Sequence, residues 1–164
     1  GHSMIITNVE DYNITKYQWP SMYVELTTCN GKCWKERGLS PSICPYNGLR
    51  SKRKIEISNE MLAERYYSNP VTHALIFGGL EPMDSFEDIY KTIRILRIKF
   101  KCKDPVIIYT GYNEKEIQDK VSHLAEQHNI IIKFGRHLVG HQPHLDSILG
   151  IKLLSDNQYA KLYK

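Results

Sequence analysis

No run of this 164-residue chain is apolar for long enough to cross a bilayer, which takes roughly 20 residues. No secretory pattern follows Met4, because polar Asn8, Glu10 and Asp11 come at once. Charge of one sign is also scarce. The 22 Lys and Arg stand against 18 Asp and Glu, a net +4, which is too mild to mark a dedicated nucleic-acid binder. Internal repeats and low-complexity segments are missing. These absences argue against a membrane protein, a secreted disulfide scaffold, a coiled coil and a disordered chain, and they predict a cytoplasmic setting. At about 150 residues per domain the chain makes one domain, spanning 4–164. That is long enough to bury a core without staples. Gly1, His2 and Ser3 are read as an expression scar ahead of Met4.

Cysteine is scarce as well: Cys29, Cys33, Cys44 and Cys102. The first three fall close together and the fourth is remote. In a reducing compartment disulfides are rare, and a cluster of thiols points instead to metal or redox chemistry. The pattern Cys29-x3-Cys33-x10-Cys44 offers three ligands, where a structural zinc site usually takes four. Thiolates also hold iron–sulfur clusters, and three of them on a four-iron cluster would leave one iron open to a small molecule. A zinc site and plain buried thiols remain the alternatives. Cys102 reads as an ordinary thiol at a helix end. As a fourth ligand it would close the cluster and make the protein an electron carrier.

Strands alternate with helices along the chain. Met22 to Thr28 reads as a strand rich in β-branched and aromatic residues, and Ser58 caps a short helix through about Tyr67. His73 to Phe77 is a buried-type strand ending at Gly78-Gly79. Phe86, Ile89, Tyr90, Ile93 and Leu96 recur at helical spacing, with Asp84 as N-cap and Glu87 three residues on. This helix should stop near Cys102, ahead of Pro105. Val106 to Tyr109 is the next strand. Asn113 caps a helix carrying Ile117, Val121, Leu124 and Ala125. Ile130 to Phe134 and Ile148 to Leu154 are read as strands, and Tyr159, Leu162 and Tyr163 as a closing helix.

This order predicts a mostly parallel sheet with crossover helices. Five strands are too few for a closed eight-stranded barrel, so an α/β partial barrel or open sheet is expected. In such folds the loops after the strands share the carboxyl edge, where ligands bind. The thiols, Gly78-Gly79-Leu80-Glu81-Pro82, Thr110-Gly111-Tyr112, Gly135-Arg136 and Ser155-Asp156-Asn157 should therefore meet on one rim.

Four motifs carry a family resemblance: Cys29-Asn-Gly-Lys-Cys33, Phe77-Gly-Gly-Leu-Glu-Pro82, Ile108-Tyr-Thr-Gly-Tyr112 and Ser155-Asp-Asn-Gln-Tyr-Ala160. From about Met22 to Tyr163 the chain resembles the radical S-adenosylmethionine (SAM) superfamily. Within it, the chain is most similar to the activating proteins of the anaerobic (class III) ribonucleoside-triphosphate reductase. Two features depart from the usual family pattern. The third cysteine stands ten residues beyond the second, with Ile43 before it, and Leu80 interrupts the Gly-Gly-Glu-Pro element. Both features suit a compact subgroup with unusual cysteine spacing.

The resemblance implies a partial (β/α) barrel of the radical SAM type. It implies a 4Fe–4S cluster on Cys29, Cys33 and Cys44, and SAM held by Gly78, Gly79, Glu81, Tyr112, Ser155 and Asn157. It implies an oxidoreductase activity in which an electron from the cluster cleaves SAM to a 5′-deoxyadenosyl radical. That radical would generate a glycyl radical on the anaerobic ribonucleotide reductase. A flavodoxin- or ferredoxin-type electron donor would supply the electron, and neither a membrane nor a nucleic acid would be involved. The alternatives are a radical SAM enzyme with another substrate and a non-catalytic four-cysteine metal or electron-transfer module.

Other candidates have plainer readings. Gly78-Gly79 also suits a tight strand-to-helix turn, and Tyr109 and Tyr112 suit core packing. Ser155 and Asn157 are good cap residues. His137, His141 and His144 have the spacing of a metal triad, but Pro143 breaks the segment and a polar loop is the expected role. The basic run Arg50, Lys52, Arg53 and Lys54 reads as a solvated loop, or as a docking patch for an acidic partner.

Overall fold

A computed structural model describes residues 3–27 and 54–164. The strands are β1 (Ser3–Asn13), β2 (Ser21–Leu26), β3 (Ile55–Ser58), β4 (Ala74–Gly79), β5 (Val106–Tyr109), β6 (Ile130–Phe134), β7 (His144–Asp146), β8 (Ile151–Leu153) and β9 (Tyr159–Tyr163). The helices are α1 (Asn59–Tyr67), α2 (Phe86–Arg94) and α3 (Gln118–Ala125).

Seven strands form one sheet in the order β3-β1-β2-β4-β5-β6-β9, and β7 and β8 pair separately. The pairs β2–β4, β4–β5 and β5–β6 are parallel. The pairs β1–β2, β1–β3 and β6–β9 are antiparallel. This corrects the expected mostly parallel partial barrel: the sheet is mixed, with antiparallel strands on both flanks of a four-stranded parallel centre.

Three sequence readings account for the difference. β1 interleaves apolar and polar residues and alternates weakly in burial, so it carries no clear strand period. Residues 159–163 were expected as a helix but run antiparallel to β6, with Ala160 buried between exposed neighbours. The antiparallel pairing along its whole length, from Tyr159 opposite Phe134 to Tyr163 opposite Ile130, makes it a strand. Ile148 to Leu154 contributes only β8, which joins the hairpin with β7 rather than the main sheet.

The four central strands are apolar on both faces. β4 and β6 are buried along their whole length, as parallel strands covered on both sides are. On one face α1, α2 and α3 pack Leu62, Tyr66, Ile89, Ile93 and Leu124 against Val24, Leu75, Phe77, Ile108 and Ile132. On the other face Tyr23, Ile76, Ile107 and Ile131 meet Tyr17, Leu149 and Leu153. Residues 14–20 form a strap across this second face. Gln18 ties the strap to the hairpin through the Leu149 carbonyl, which accepts from its backbone N at 2.9 Å. The Tyr109 hydroxyl donates to the Lys16 carbonyl.

Helix entries follow local chemistry. The Ser58 side chain accepts from Met61 N, as expected. Asn113 and Glu116 form a reciprocal capping box, though the first turn is a 3-10 turn, Glu114–Ile117. The entry to α2 differs from expectation. Glu81, not Asp84, caps a 3-10 turn over Pro82–Ser85, and Asp84 instead accepts from the Tyr112 hydroxyl at 2.7 Å. α2 runs on as a π turn, Ile95–Lys99, ending before Pro105.

Gly79 is where β4 must leave the sheet. Its φ is +97°, and a Cβ there would lie 2.4 Å from Leu26 O and 2.5 Å from Leu26 N. Leu80 N then donates to Leu26 O at 3.0 Å. Gly79→Ala combines backbone strain with a backbone clash. It is expected to cost about 2 kcal/mol or more, seen as a lower urea midpoint. An unchanged midpoint would contradict this packing.

Candidate functional site

The parallel strands β2, β4, β5 and β6 end at Leu26, Gly79, Tyr109 and Phe134. Parallel pairing puts those ends on one edge of the sheet. β9 starts at Tyr159 opposite Phe134, so the turn holding Ser155, Asn157 and Gln158 enters the same edge. The loops after β4, β5 and β6 and the turn before β9 thus meet at one rim. Cys29, Cys33, Cys44 and Ile43 lie outside the described residues, as do Arg50, Lys52 and Arg53 of the basic run.

Glu81 is the hub of the rim. It is 6% exposed. Its Oε1 accepts from Gly111 N at 2.8 Å, and its Oε2 accepts from the Thr110 hydroxyl at 2.8 Å and from Met83 N at 2.9 Å. One side chain thereby ties the loop after β4 to the loop after β5. Burial pushes its carboxyl up, while the bonds from Met83, Gly111 and Thr110 oppose that shift. Both oxygens are engaged by the protein, so Glu81 acts as a strut within the rim.

Gly78 and Gly79 serve packing. A Cβ on Gly78 would lie 2.6 Å from the Tyr23 ring, and Gly79 touches the Leu26 backbone. Tyr112 turns toward the helical face, with its hydroxyl on Asp84. Ser155 is fully buried; its Oγ accepts from Leu138 N at 3.2 Å. Asn157 donates through Nδ2 to the Arg136 carbonyl at 2.7 Å. Its Oδ1 is buried without a hydrogen-bond partner among the described residues.

The structure separates the remaining candidates. His141 Nδ1 lies 2.8 Å from Asp156 Oδ1, and His144 Nε2 lies 2.7 Å from the Gln158 carbonyl. Among the described residues no three His, Cys, Asp or Glu side chains are grouped to hold a metal. Cys102 is buried and free, and it precedes β5, so it sits at the amino edge, opposite the rim. There Arg97 donates to the carbonyls of Cys102 at 2.8 Å and of Gln127 and His128 at 3.0 Å. Burial pushes the Cys102 thiol up, which makes it a poor thiolate.

Lys133 and Gln158 belong to the rim but were not singled out from the sequence. Gln158 is buried, accepting from Leu154 N and Ser155 N through Oε1 and donating through Nε2 to the Gly135 carbonyl at 3.1 Å. Lys133 is 7% exposed, and its ammonium donates to that same carbonyl at 3.0 Å. Burial pulls its pKa down to about 8, against the opposing charge of Glu81. A lone lysine in the apolar run Ile130 to Phe134 was the available signal: Lys133 shares a face with buried Ile131.

No family model matches the chain, and no curated protein or solved structure matches it either.

Two expectations follow. Glu81→Gln puts amide hydrogens against the Gly111 or the Met83 N–H, and should cost about 1–3 kcal/mol in urea unfolding. Equal stability would mean that Glu81 does not need to accept at both oxygens. For Lys133, the unfolded chain keeps its proton up to the ordinary 10.5, whereas the folded protein releases it at about 8. Stability therefore rises with pH across that window, by about 3 kcal/mol at most. Lys133→Met should flatten this rise, as measured by urea unfolding below and above the window.

Proposed function

We propose that this protein is a radical SAM oxidoreductase that activates a glycyl radical enzyme, its partner being the anaerobic ribonucleotide reductase. The observation that carries the reading is the meeting of the Gly-Gly-Leu-Glu-Pro, Tyr-Thr-Gly-Tyr and Ser-Asp-Asn elements at one edge of the parallel strands. β2 also ends on that edge, three residues before Cys29. This reading places the protein in the cytoplasm with a flavodoxin- or ferredoxin-type donor. Among the described residues no helix is long and apolar enough to cross a membrane.

The residues fit the implied groups. Cys29, Cys33 and Cys44 offer three soft thiolates, the donor set for a 4Fe–4S cluster. Asn157 Oδ1 is a buried acceptor at the rim without a donor among the described residues, which a ligand N–H or O–H would satisfy. When bound, the cluster and SAM supply the one-electron chemistry: reductive cleavage of a sulfonium bond and hydrogen abstraction.

The chain's own contribution is position. Glu81 holds the two central loops at a common height. Gly79 lets the chain turn out of β4 tightly against Leu26. Tyr112, bonded to Asp84, fastens the loop after β5 to the entry of α2. Cys102 is kept at the opposite edge by the Arg97 network, which weighs against the four-cysteine module.

Anaerobic reconstitution with iron and sulfide, followed by EPR of the reduced protein, tests the reading. A 4Fe–4S signal that changes when SAM is added is expected. Cys102→Ala should keep it, and Cys44→Ala should lose it. Zinc alone, or a signal indifferent to SAM, would overturn the proposal. A glycyl radical on co-incubated class III reductase, read by EPR, tests the partner.

A further inference from the structure

The second face of the sheet carries an unusual row near the rim. Glu25 pairs with Gly78, and Lys133 pairs with Tyr109 on one side and Ala160 on the other. One step below, the corresponding row is Tyr23, Ile76, Ile107 and Ile131. A cation thus follows directly on an apolar layer, at the last positions before the strands end.

Lys133 is the one buried lysine or arginine among the described residues. An ammonium has three donors and no acceptor. One donor goes to the Gly135 carbonyl. The Tyr109 ring lies 5.8 Å from the nitrogen, and Glu81 supplies charge without a hydrogen bond to it. Two donors therefore have no acceptor among the described residues. A buried charge held by a single neutral carbonyl is costly. It is relieved when the amine gives up its proton or when an anion joins it.

The surroundings favour the second outcome. Lys133 stands two residues before Gly135, where β6 opens on the rim. Beside it the loop after β5 is thin: among the described residues a Cβ on Gly111 would meet only Glu81 Oε1 and Arg136 Cγ within 4 Å. The carboxylate that could have neutralised Lys133, Glu81, is already committed to Met83, Thr110 and Gly111. A second acid would be redundant in a finished core and is what an incoming ligand can bring.

We propose that Lys133 anchors a small oxyanion, a carboxylate or a phosphate carried by a ligand that enters at the carboxyl edge of the parallel strands. The inference stands apart from the iron–sulfur reading, since it needs neither a cluster nor SAM. An oxyanion beside Lys133 stabilises the charged amine, so binding should raise the pH at which it titrates.

The test uses the full chain, carbon-13 labelled at lysine, titrated with acetate and separately with inorganic phosphate at neutral pH. The expected result is a saturable shift of the Lys133 Cε resonance with one of the two anions, accompanied by a rise in Tm. The anion that acts identifies the carboxylate or the phosphate source. In Lys133→Met, which exchanges a buried charge for an apolar chain of similar length, the apparent affinity read from Tm should fall about tenfold or more. No saturable shift with either anion, or the same Tm gain in Lys133→Met, would overturn the proposal. Should that variant not fold, the wild-type Cε titration decides alone. A lost EPR signal after reconstitution, with the anion titration intact, would count against the iron–sulfur reading only.

Discussion

The buried carboxylate of Glu81 sets the geometry on which the rim depends. β4 and β5 are paired through Phe77 and Ile108, and beyond that point their backbones diverge into separate loops. Glu81 bridges the divergence with one bond to each of three donors, two on the loop after β5 and one on its own turn. A carboxylate suits this place because each oxygen must accept and neither can donate. Its burial raises the cost of its charge, and the fixed donors return much of that cost. The loops are thereby held by a short polar hub rather than by apolar packing, at the one edge of the sheet where the core gives out.

The opposite edge is organised by a different device. Arg97 reaches from the π turn after α2 to four carbonyls on two loops. Lys101, His128 and Asn129 sit there in left-handed backbone conformations, and the guanidinium satisfies carbonyls that such tight turns leave unpaired. Burial pulls the Arg97 pKa down, and the nearby Asp104 carboxylate opposes that shift. The two edges therefore differ in kind. The amino edge is a network of carbonyls around one cation, with Thr72 Oγ1 and Tyr163 Oη buried nearby without a partner among the described residues. Among the described residues, the carboxyl edge contains a carboxylate with three donors, an ammonium with one acceptor and an asparagine oxygen with no donor. Lys133 and Asn157 place unmet hydrogen-bonding capacity on the second edge, where ligands of parallel sheets bind.

The flanks explain how a parallel centre this narrow is protected. β1 and β3 extend the sheet beyond β2, and β9 covers β6 on the other side. Three parallel pairings alone would leave β2 and β6 with open hydrogen-bonding edges. The second face is shielded by the strap of residues 14–20 and the β7–β8 hairpin, joined through Gln18. A Cβ on Gly150 would lie 2.7 Å from Gln18 Cβ, so this join is close enough to demand glycine at the hairpin turn.

Much of the centre was legible in the residues themselves. The apolar runs at 74–77, 106–109 and 130–134 announced buried strands, Ser58 and Asn113 announced helix starts, and the order of these elements announced a shared loop edge. These are local signals, since a strand buried on both faces must be apolar throughout and a cap needs its side chain at one position. What local signals did not decide was pairing. Nothing within Ser3–Asn13 or Tyr159–Tyr163 states which strand it lies beside or in which direction. A strand half exposed to water also carries fewer apolar residues than one buried on both faces. The roles of Glu81, Lys133 and Gln158 were likewise decided only in three dimensions. Each depends on acceptors or donors from a strand or loop far away in sequence, and a polar residue's chemistry is set by the partners the fold brings to it and by the water it removes.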